Sequence, residues 1–355
     1  MFRTGNGIQK LKMQLLFKRL VIFVVESPSY ERVFEPLTQD SKDFDIKVLR
    51  LYSIKNRILR GLARIFWSLR PNTLIVCCTA GFFLRPLNGH RLQIFHAPAS
   101  FGASWSRKYL DNFDILGAVT KFQAGQIKML DPKKKMFELG LPYLDNFCKI
   151  PFKNDDLNYD ICYAPTYHIE ISSIFSFLEP LIKFCYENSL RLLVRPHPFL
   201  LQKSKFEYSG GIDWLEKLNK FSQERFVNID LDSEYDEVVK SRVVITDTSG
   251  LAFEFANITG RPIGFIGEKL KIPLKAKSVL NGISINDLPE VEARTLVGPI
   301  IKPPYSQKKI KEFFLELQRD HFAEKRTEFF SNYILNLGNA SSIFWRFIID
   351  LYGGK

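Results

Sequence analysis

Residues 242–267 constrain the fold of this chain more than any other stretch. An apolar run at Val243-Val244-Ile245 leads to a sharp turn at Asp247-Thr248-Ser249-Gly250, then to a short helical pattern and a second apolar run, Ile263–Ile266. A buried strand that hands over to a helix and then to another buried strand is one unit of a parallel α/β sheet. Where the strand meets the helix, the first backbone N–H groups have no partner inside the helix and the helix dipole is positive. An anion, above all a nucleotide phosphate, is welcome there. A plain Asx/Ser cap would use the same residues, and the segment alone leaves both readings open.

With 355 residues the chain is long enough for two domains, each with its own core. Its net charge of +12 favours an acidic partner. The basic residues form no long arm and no nucleic-acid-binding signature is evident, so a phosphate-rich substrate and an anionic membrane surface rank ahead of nucleic acid. Five cysteines without metal-like spacing point to a reducing compartment, with Cys77 and Cys78 read as small buried residues. Basic residues precede Leu20–Val25 as in a signal peptide, but that run ends in Glu26-Ser27-Pro28 with no small-residue cleavage site and reads as a first β-strand. No segment approaches the ~20 apolar residues needed to cross a bilayer. A cytoplasmic protein, peripheral on the inner membrane face, is the expectation.

Short apolar runs alternate with helical patterns throughout. Strands are predicted at Leu20–Val25, Asp45–Leu51, Thr73–Thr79, Leu92–Phe95 and Ile115–Thr120, with helices at Asn56–Leu69 and Lys121–Leu130. Periodicity lapses around Pro142–Asn158, and residues 151–156 look like an interdomain linker. A second series follows: strand Tyr159–Tyr163, helix Ser172–Glu187 interrupted by Pro180, strand Arg191–Arg195, helix Ile212–Phe221, strand Phe226–Ile229, helix Glu234–Lys240 and the opening unit. From Ser306 the pattern is helical. The expected organisation is two Rossmann-like domains facing each other across a cleft. Residues 1–150 would form the first domain, 151–320 the second and 321–355 a set of C-terminal helices. Ligands in such sheets sit beyond the carboxyl ends of the strands. In the Asn56–Leu69 helix, Arg57, Arg60 and Arg64 share one side, and Ile58, Leu62, Ile65, Phe66 and Leu69 the other. The expectation is a helix packed on the sheet with its arginine face in water; contact with a membrane surface is the alternative.

Candidate chemistry gathers at predicted strand ends. Arg195 and His197 lie in Arg-Pro-His-Pro, where residues two apart share a face and the prolines end the strand and stiffen the loop. Such a corner suits a diphosphate: the arginine binds oxygens and the histidine hydrogen-bonds or protonates a leaving phosphate. A proline-locked turn with an incidental histidine is the alternative. His96 follows another strand, where a histidine near neutral pKa can take a proton from an attacking hydroxyl; a capped loop histidine is the alternative the residues alone favour. Ala164-Pro165-Thr166-Tyr167-His168 closes a third. No carboxylate cluster has metal-ligand spacing, so no metal is expected.

In this order the pieces resemble the CDP-glycerol glycerophosphotransferase family, the teichoic-acid polymerase and primase type of GT-B-like enzyme, over residues 90–350. Gln93-Ile94-Phe95-His96-Ala97-Pro98 is similar to the family's Trp-His-Gly-x-Pro, and Asn112-Phe113-Asp114 leads into a strand. Gly140-Leu141-Pro142-Tyr143-Leu144-Asp145 resembles Gly-x-Pro-Arg-x-Asp, and Tyr163-Ala164-Pro165-Thr166 resembles Tyr-Ala-Pro-Thr. Arg195-Pro196-His197-Pro198 carries the His-Pro, and Asp247-Thr248-Ser249-Gly250 with Glu254 looks like Asp-Tyr-Ser-Ser with its following Glu. The chain departs from the pattern at Ala97, where glycine's freedom at positive φ is lost, at Ala99-Ser100-Phe101, where a basic residue is usual, and at Gly250, where a hydroxyl is lost. The residues before about position 90 carry no motif.

The resemblance implies a GT-B fold, with residues 1–150 as the acceptor side and 151–320 as the nucleotide-binding side. It implies transfer of glycerol phosphate, or a related polyol phosphate, from a CDP-activated donor to a hydroxyl of a surface polysaccharide or lipid-linked glycan, with release of CMP. It implies no cofactor, CDP-glycerol being a substrate. His96 would be the general base, and Arg195 and His197 would stabilise the diphosphate. Thr166, Asp247, Thr248, Ser249 and Gly250 would belong to the nucleotide-binding set, and Glu254 would hold the ribose hydroxyls. Two other classes stay in view: a GT-B glycosyltransferase of capsule or lipopolysaccharide synthesis using a nucleotide sugar, and a membrane-associated partner that has lost its chemistry.

Overall fold

The structure is a computed structural model that describes residues 19–38, 44–79, 85–86, 89–98, 107–149, 156–167, 169–201, 210–222, 224–231, 235–267 and 288–353. Residues 1–18, the expected linker except Asp156, Ala99-Ser100-Phe101 and His168 lie outside the described residues.

Two six-stranded parallel sheets build the molecule. The first contains β1 (Arg19–Val25), β2 (Phe44–Arg50), β3 (Thr73–Cys77), β4 (His90–Ile94), β5 (Ile115–Ala118) and β6 (Lys135–Glu138), in the order β2-β1-β3-β4-β5-β6. The second contains β7 (Tyr159–Ala164), β8 (Leu192–Val194), β9 (Val227–Ile229), β10 (Ser241–Thr246), β11 (Ile263–Ile266) and β12 (Ile300–Ile301), in the order β12-β11-β10-β7-β8-β9. The fold is thus α/β, as the alternation of apolar runs and helical patterns predicts, and its two sheets are GT-B-like, as the resemblance implies. Central strands are buried on both faces, which is why they read as unbroken apolar runs: Val21 to Val25 and Leu74 to Val76 are sealed from solvent. Register follows, with Phe23 opposite Val48 on one side and Val76 on the other.

Strand order reverses direction between β1 and β3 in the first sheet and between β7 and β10 in the second. Such switch points open a crevice at the carboxyl ends of the strands. One apolar core runs from the first sheet through Leu193, Val244, Phe253 and Phe255 of the second lobe, so the two lobes share a packed seam. A separate core, with Phe177, Trp214, Phe313 and Leu317, belongs to the second lobe alone. The last helix, Ala340–Gly353, returns to the first sheet. There Phe347 stacks on Phe137 at 3.9 Å and Phe344 lies 5.9 Å from Phe23. The Asp145 carboxylate accepts from the amides of Ala340 and Ser341 at 3.0 and 2.7 Å and so caps that helix from the first lobe.

Two expectations need correction. Pro180 does not interrupt its helix, which runs unbroken over Ile174–Glu187. Packing of Phe177, Leu178, Leu181 and Phe184 into the core outweighs the lost backbone bond, and Gln307 donates to the Pro180 carbonyl at 3.0 Å. The Arg57–Ser68 helix is also turned the other way round. Arg64 faces inward to Glu26 at 2.5 Å, Arg60 donates to the Ile54 carbonyl, and Ser68 is buried. Water meets the apolar side instead: Ile58, Leu62, Phe66 and Leu69 are 73%, 55%, 54% and 59% exposed.

Candidate active site

In the first lobe the crevice begins where β1 ends. Glu26, the next residue, accepts from Arg64 and from the Thr79 hydroxyl beyond β3, which ties the two strand ends together across the switch point. His96 lies two residues past β4, with its ring 4.9 Å from that of Tyr30. Gln123 holds its loop by donating to the Ala97 carbonyl at 3.2 Å. The Cys78 backbone carbonyl lies on the side of one His96 ring nitrogen and favours a proton there, while burial pushes the imidazole pKa down to about 4 against it. A neutral imidazole carries one N–H, so the other nitrogen is left with an open lone pair. His96 is set up as an acceptor.

In the second lobe β8 ends at Val194 and the prolines hold the next residues in a fixed corner. Arg195 is buried and paired with the equally buried Asp230 at 2.5 Å. Burial lowers its pKa, with further push from Arg32, and Asp230 works in the opposite sense. The Nδ1 of His197 accepts from the Phe199 amide at 3.2 Å, and its ring lies 4.5 Å from that of Tyr167. Its Nε2 therefore carries the proton and can donate. Burial, followed by the positive surroundings of His96, Arg195 and Arg32, drives its pKa down to about 3. His96 and His197 thus come within electrostatic reach of each other from opposite lobes, as do Tyr30 and Tyr167. Both histidines are half-buried as a whole.

The turn after β10 is busy with its own structure. The Asp247 carboxylate accepts from the amides of Thr166 (2.9 Å), Ser173 (2.7 Å) and Thr248 (2.6 Å) and from the Ser173 hydroxyl (2.8 Å). Burial pushes its pKa up and these bonds pull it back. Its oxygens are committed to holding the loop after β7 against the turn after β10. The Ser249 amide donates to the Thr246 hydroxyl at 3.0 Å and the Leu251 amide to the Ser249 hydroxyl at 3.3 Å. The Gly250 amide has no partner among the described residues. Of the two readings of this turn, the capping one describes most of its donors, and an anion would find the Gly250 amide and the rotatable hydroxyls of Thr248 and Ser249. Arg294 staples the same edge by donating to the carbonyls of Asp247, Ile266 and Gly267. Burial lowers its pKa to about 10. A cavity of about 70 Å³ opens here between Ser172, Ser176, Thr248 and Tyr305.

Glu254, one turn into the Leu251–Thr259 helix, is buried at the seam between the lobes, with one carboxylate oxygen unpartnered. Burial raises its pKa, while Arg32 acts to lower it. Arg32, Tyr143, Tyr235, Tyr30, Tyr167 and Asp230 surround the two histidines and Glu254. Sequence reasoning gave none of them a role, although Arg32 follows a strand end and Tyr143 sits inside a quoted motif. Among the described residues no three His, Cys, Asp or Glu side chains gather as a metal site.

No family model matches the chain, and no curated protein matches it in sequence. Solved structures do. The wall teichoic acid polymerase TagF aligns with a TM-score of 0.58 at 17% identity, covering 94% of this chain and 89% of that one. A TagF variant soaked with CDPG aligns at 0.60 and 16%, again over 94% and 89%. The UDP-GlcNAc 2-epimerase of Methanocaldococcus jannaschii, in complex with UDP-GlcNAc and UDP, aligns at 0.52 and 12%, over 93% and 99%. At these identities the likeness is one of fold. The motif resemblance to glycerophosphotransferases has a counterpart in architecture over nearly the whole chain.

Proposed function

We propose that the protein transfers glycerol phosphate, or a related polyol phosphate, from a CDP-activated donor to a hydroxyl of a surface polysaccharide or lipid-linked glycan, with release of CMP. What supports this reading is that His96 and His197 come within electrostatic reach of each other from opposite lobes, with the Nδ1 of His197 accepting from the Phe199 amide so that its Nε2 can donate.

The acceptor oxygen attacks the β-phosphorus in line, the bond from that phosphorus to the CMP oxygen breaks, and CMP departs with the bonding pair. The hydroxyl proton passes to the open nitrogen of His96. With its pKa lowered to about 4, His96 is a weak base and takes the proton as the new P–O bond forms rather than before. His197, neutral at pH 7, donates its Nε2–H to a phosphoryl or leaving oxygen and does not give its proton up. Positioning and charge stabilisation supply most of the rate. Ser249 and the Gly250 amide are proposed to meet phosphate oxygens, Thr166 to line the nucleotide side, and Asp247 to fix both loops. Glu254 would accept from ligand hydroxyls.

The outward apolar face of the Arg57–Ser68 helix supports a place on the inner membrane surface. No helix among the described residues is long and apolar enough to span a membrane. The glycosyltransferase reading is kept because the epimerase complexed with UDP-GlcNAc covers nearly all of both chains. A thermal-shift screen of CDP-glycerol, CDP-ribitol, UDP-sugars and CMP-sugars separates the two. CMP release from CDP-glycerol and membranes then tests the reaction. If a UDP-sugar alone raises the melting temperature, or no CDP-polyol yields CMP, the proposed donor is wrong.

A further inference from the structure

Four side chains at the seam between the lobes bury polar atoms that make no well-formed hydrogen bond: Nε and Nη1 of Arg32, Oη of Tyr143, Oη of Tyr235 and Oε2 of Glu254, although the Tyr143 hydroxyl is near enough to Glu254 to help lower its pKa. Tyr143, Tyr235 and Glu254 are each more than nine-tenths buried. An unpaired buried polar group costs about 1–3 kcal/mol, so proteins seldom keep several in one place without something to complete them. Arg32 and Tyr143 come from the first lobe, after β1 and β6; Tyr235 and Glu254 come from the second. The Arg32 guanidinium lies over the Tyr143 ring at 5.0 Å and the Tyr235 ring at 5.9 Å, which fixes its plane while its N–H groups stay open.

We propose that Arg32 is a phosphate-binding residue that the first lobe contributes to the donor site, with Glu254 taking a hydroxyl of the same ligand. The ligand class is a phosphate ester carrying free hydroxyls. Its oxygens accept from Arg32 and the tyrosines, and its hydroxyls donate to the carboxylate. The choice of Arg32 over Arg195 follows from pairing. Arg195 is neutralised by Asp230 at 2.5 Å, whereas Arg32 makes no ion pair among the described residues, although Glu254 lies within reach of its charge. That charge also bears on His96 and His197, so Arg32 is within electrostatic reach of the groups proposed to react. That the anion belongs to a nucleotide donor rests on the transferase reading; that Arg32 binds an anion does not.

Titration calorimetry of the wild type, R32M and R32K with CDP and with inorganic pyrophosphate tests this. Loss of a charge-assisted contact should weaken both ligands about 10- to 100-fold in R32M, with R32K between, because a lysine keeps the charge without the fork. Should R32M fail to fold, as judged by circular dichroism, R32K carries the test. Wild-type affinity for pyrophosphate in the variants, or no binding of pyrophosphate by the wild type, overturns the proposal. Arg32-dependent binding of pyrophosphate without binding of CDP upholds it and removes the nucleotide-donor reading instead.

Discussion

Replacing Asp247 separates a ligand-binding carboxylate from a structural one. Its oxygens accept from three backbone amides and one hydroxyl, and two of those amides, Thr166 and Ser173, belong to buried residues. D247A strands these donors. Water can reach the half-buried Thr248 amide and spare that one, while the other two each face the cost of a buried orphan. Set against the burial cost that the carboxylate itself no longer bears, the net loss is about 2–4 kcal/mol. D247N is the sharper variant. It keeps size and one acceptor oxygen, yet turns an amide N–H toward either the Thr166 or the Ser173 N–H, and should lose nearly as much as alanine. Urea unfolding followed by tryptophan fluorescence and circular dichroism reads the change, with an unaltered m-value showing that the midpoint shift is a stability shift. Both variants unfolding at the wild-type midpoint while losing nucleotide binding would show that the carboxylate serves the ligand and that the loop needs no such anchor.

Other consequences are quicker to check. The histidine pKa values fall from the ordinary 6.5 to about 4 and about 3. The unfolded chain therefore binds more protons than the folded one between pH 6.5 and 4, and stability drops as pH falls through that window, by up to about 1.4 kcal/mol per pH unit for each histidine. Thermal melts of wild type and H197Q should converge as pH is lowered, and the acid limb of kcat/KM should lie below pH 5; a limb near 6.5 would deny His96 its neutral, buried state. L62E/F66E, at two exposed positions, should leave stability within about 0.5 kcal/mol but abolish co-sedimentation with phosphatidylglycerol vesicles. Unchanged sedimentation would clear that face of a membrane role. G140A should destabilise by more than about 1 kcal/mol, because φ is +90° there and a Cβ would stand 2.0 Å from the Leu335 carbonyl oxygen. An unshifted urea midpoint would refute that.

Sequence reading finds the central strands, buried on both faces, and also the edge strands β2 and β9, which keep Ile46, Val48 and Val227 among exposed neighbours. β6, Lys-Met-Phe-Glu at a sheet edge, and the two-residue β12 show no apolar run and escape it. The histidines are legible for a related reason: parallel sheets present the residues after each strand along one edge, so a histidine just past an apolar run already has an address. Arg32, Tyr143, Tyr235 and Asp230 have no such address. Asp230 follows β9 and is recognisable only once β8 and β9 are known to be neighbours, which puts it beside Arg195. Arg32 and Glu254 lie 222 positions apart in the chain and meet only when the lobes close on each other. The turn at Asp247 shows the opposite limit. Its residues were legible, but their use was not, because a capping network and a phosphate cradle draw on the same side chains.

The Arg57–Ser68 helix shows what periodicity leaves open. A moment says that two faces exist, and burial of the apolar one is only the usual outcome. Here the inward positions carry groups with fixed partners: Arg64 on Glu26, Arg60 on the Ile54 carbonyl, and Ser68 on the Arg64 carbonyl. Turning the helix over would strand Glu26 and Arg64, both largely enclosed, and breaking such a pair costs far more than a surface contact. Glu26 also accepts from Thr79 and sits at the end of β1, four residues before Tyr30, which packs on His96. The pair that sends the apolar face outward is therefore the pair that braces the strand ends beneath the proposed base. Were the proposed membrane contact made, a pull on this helix would reach the strand ends beneath the proposed base through Arg64 and Glu26.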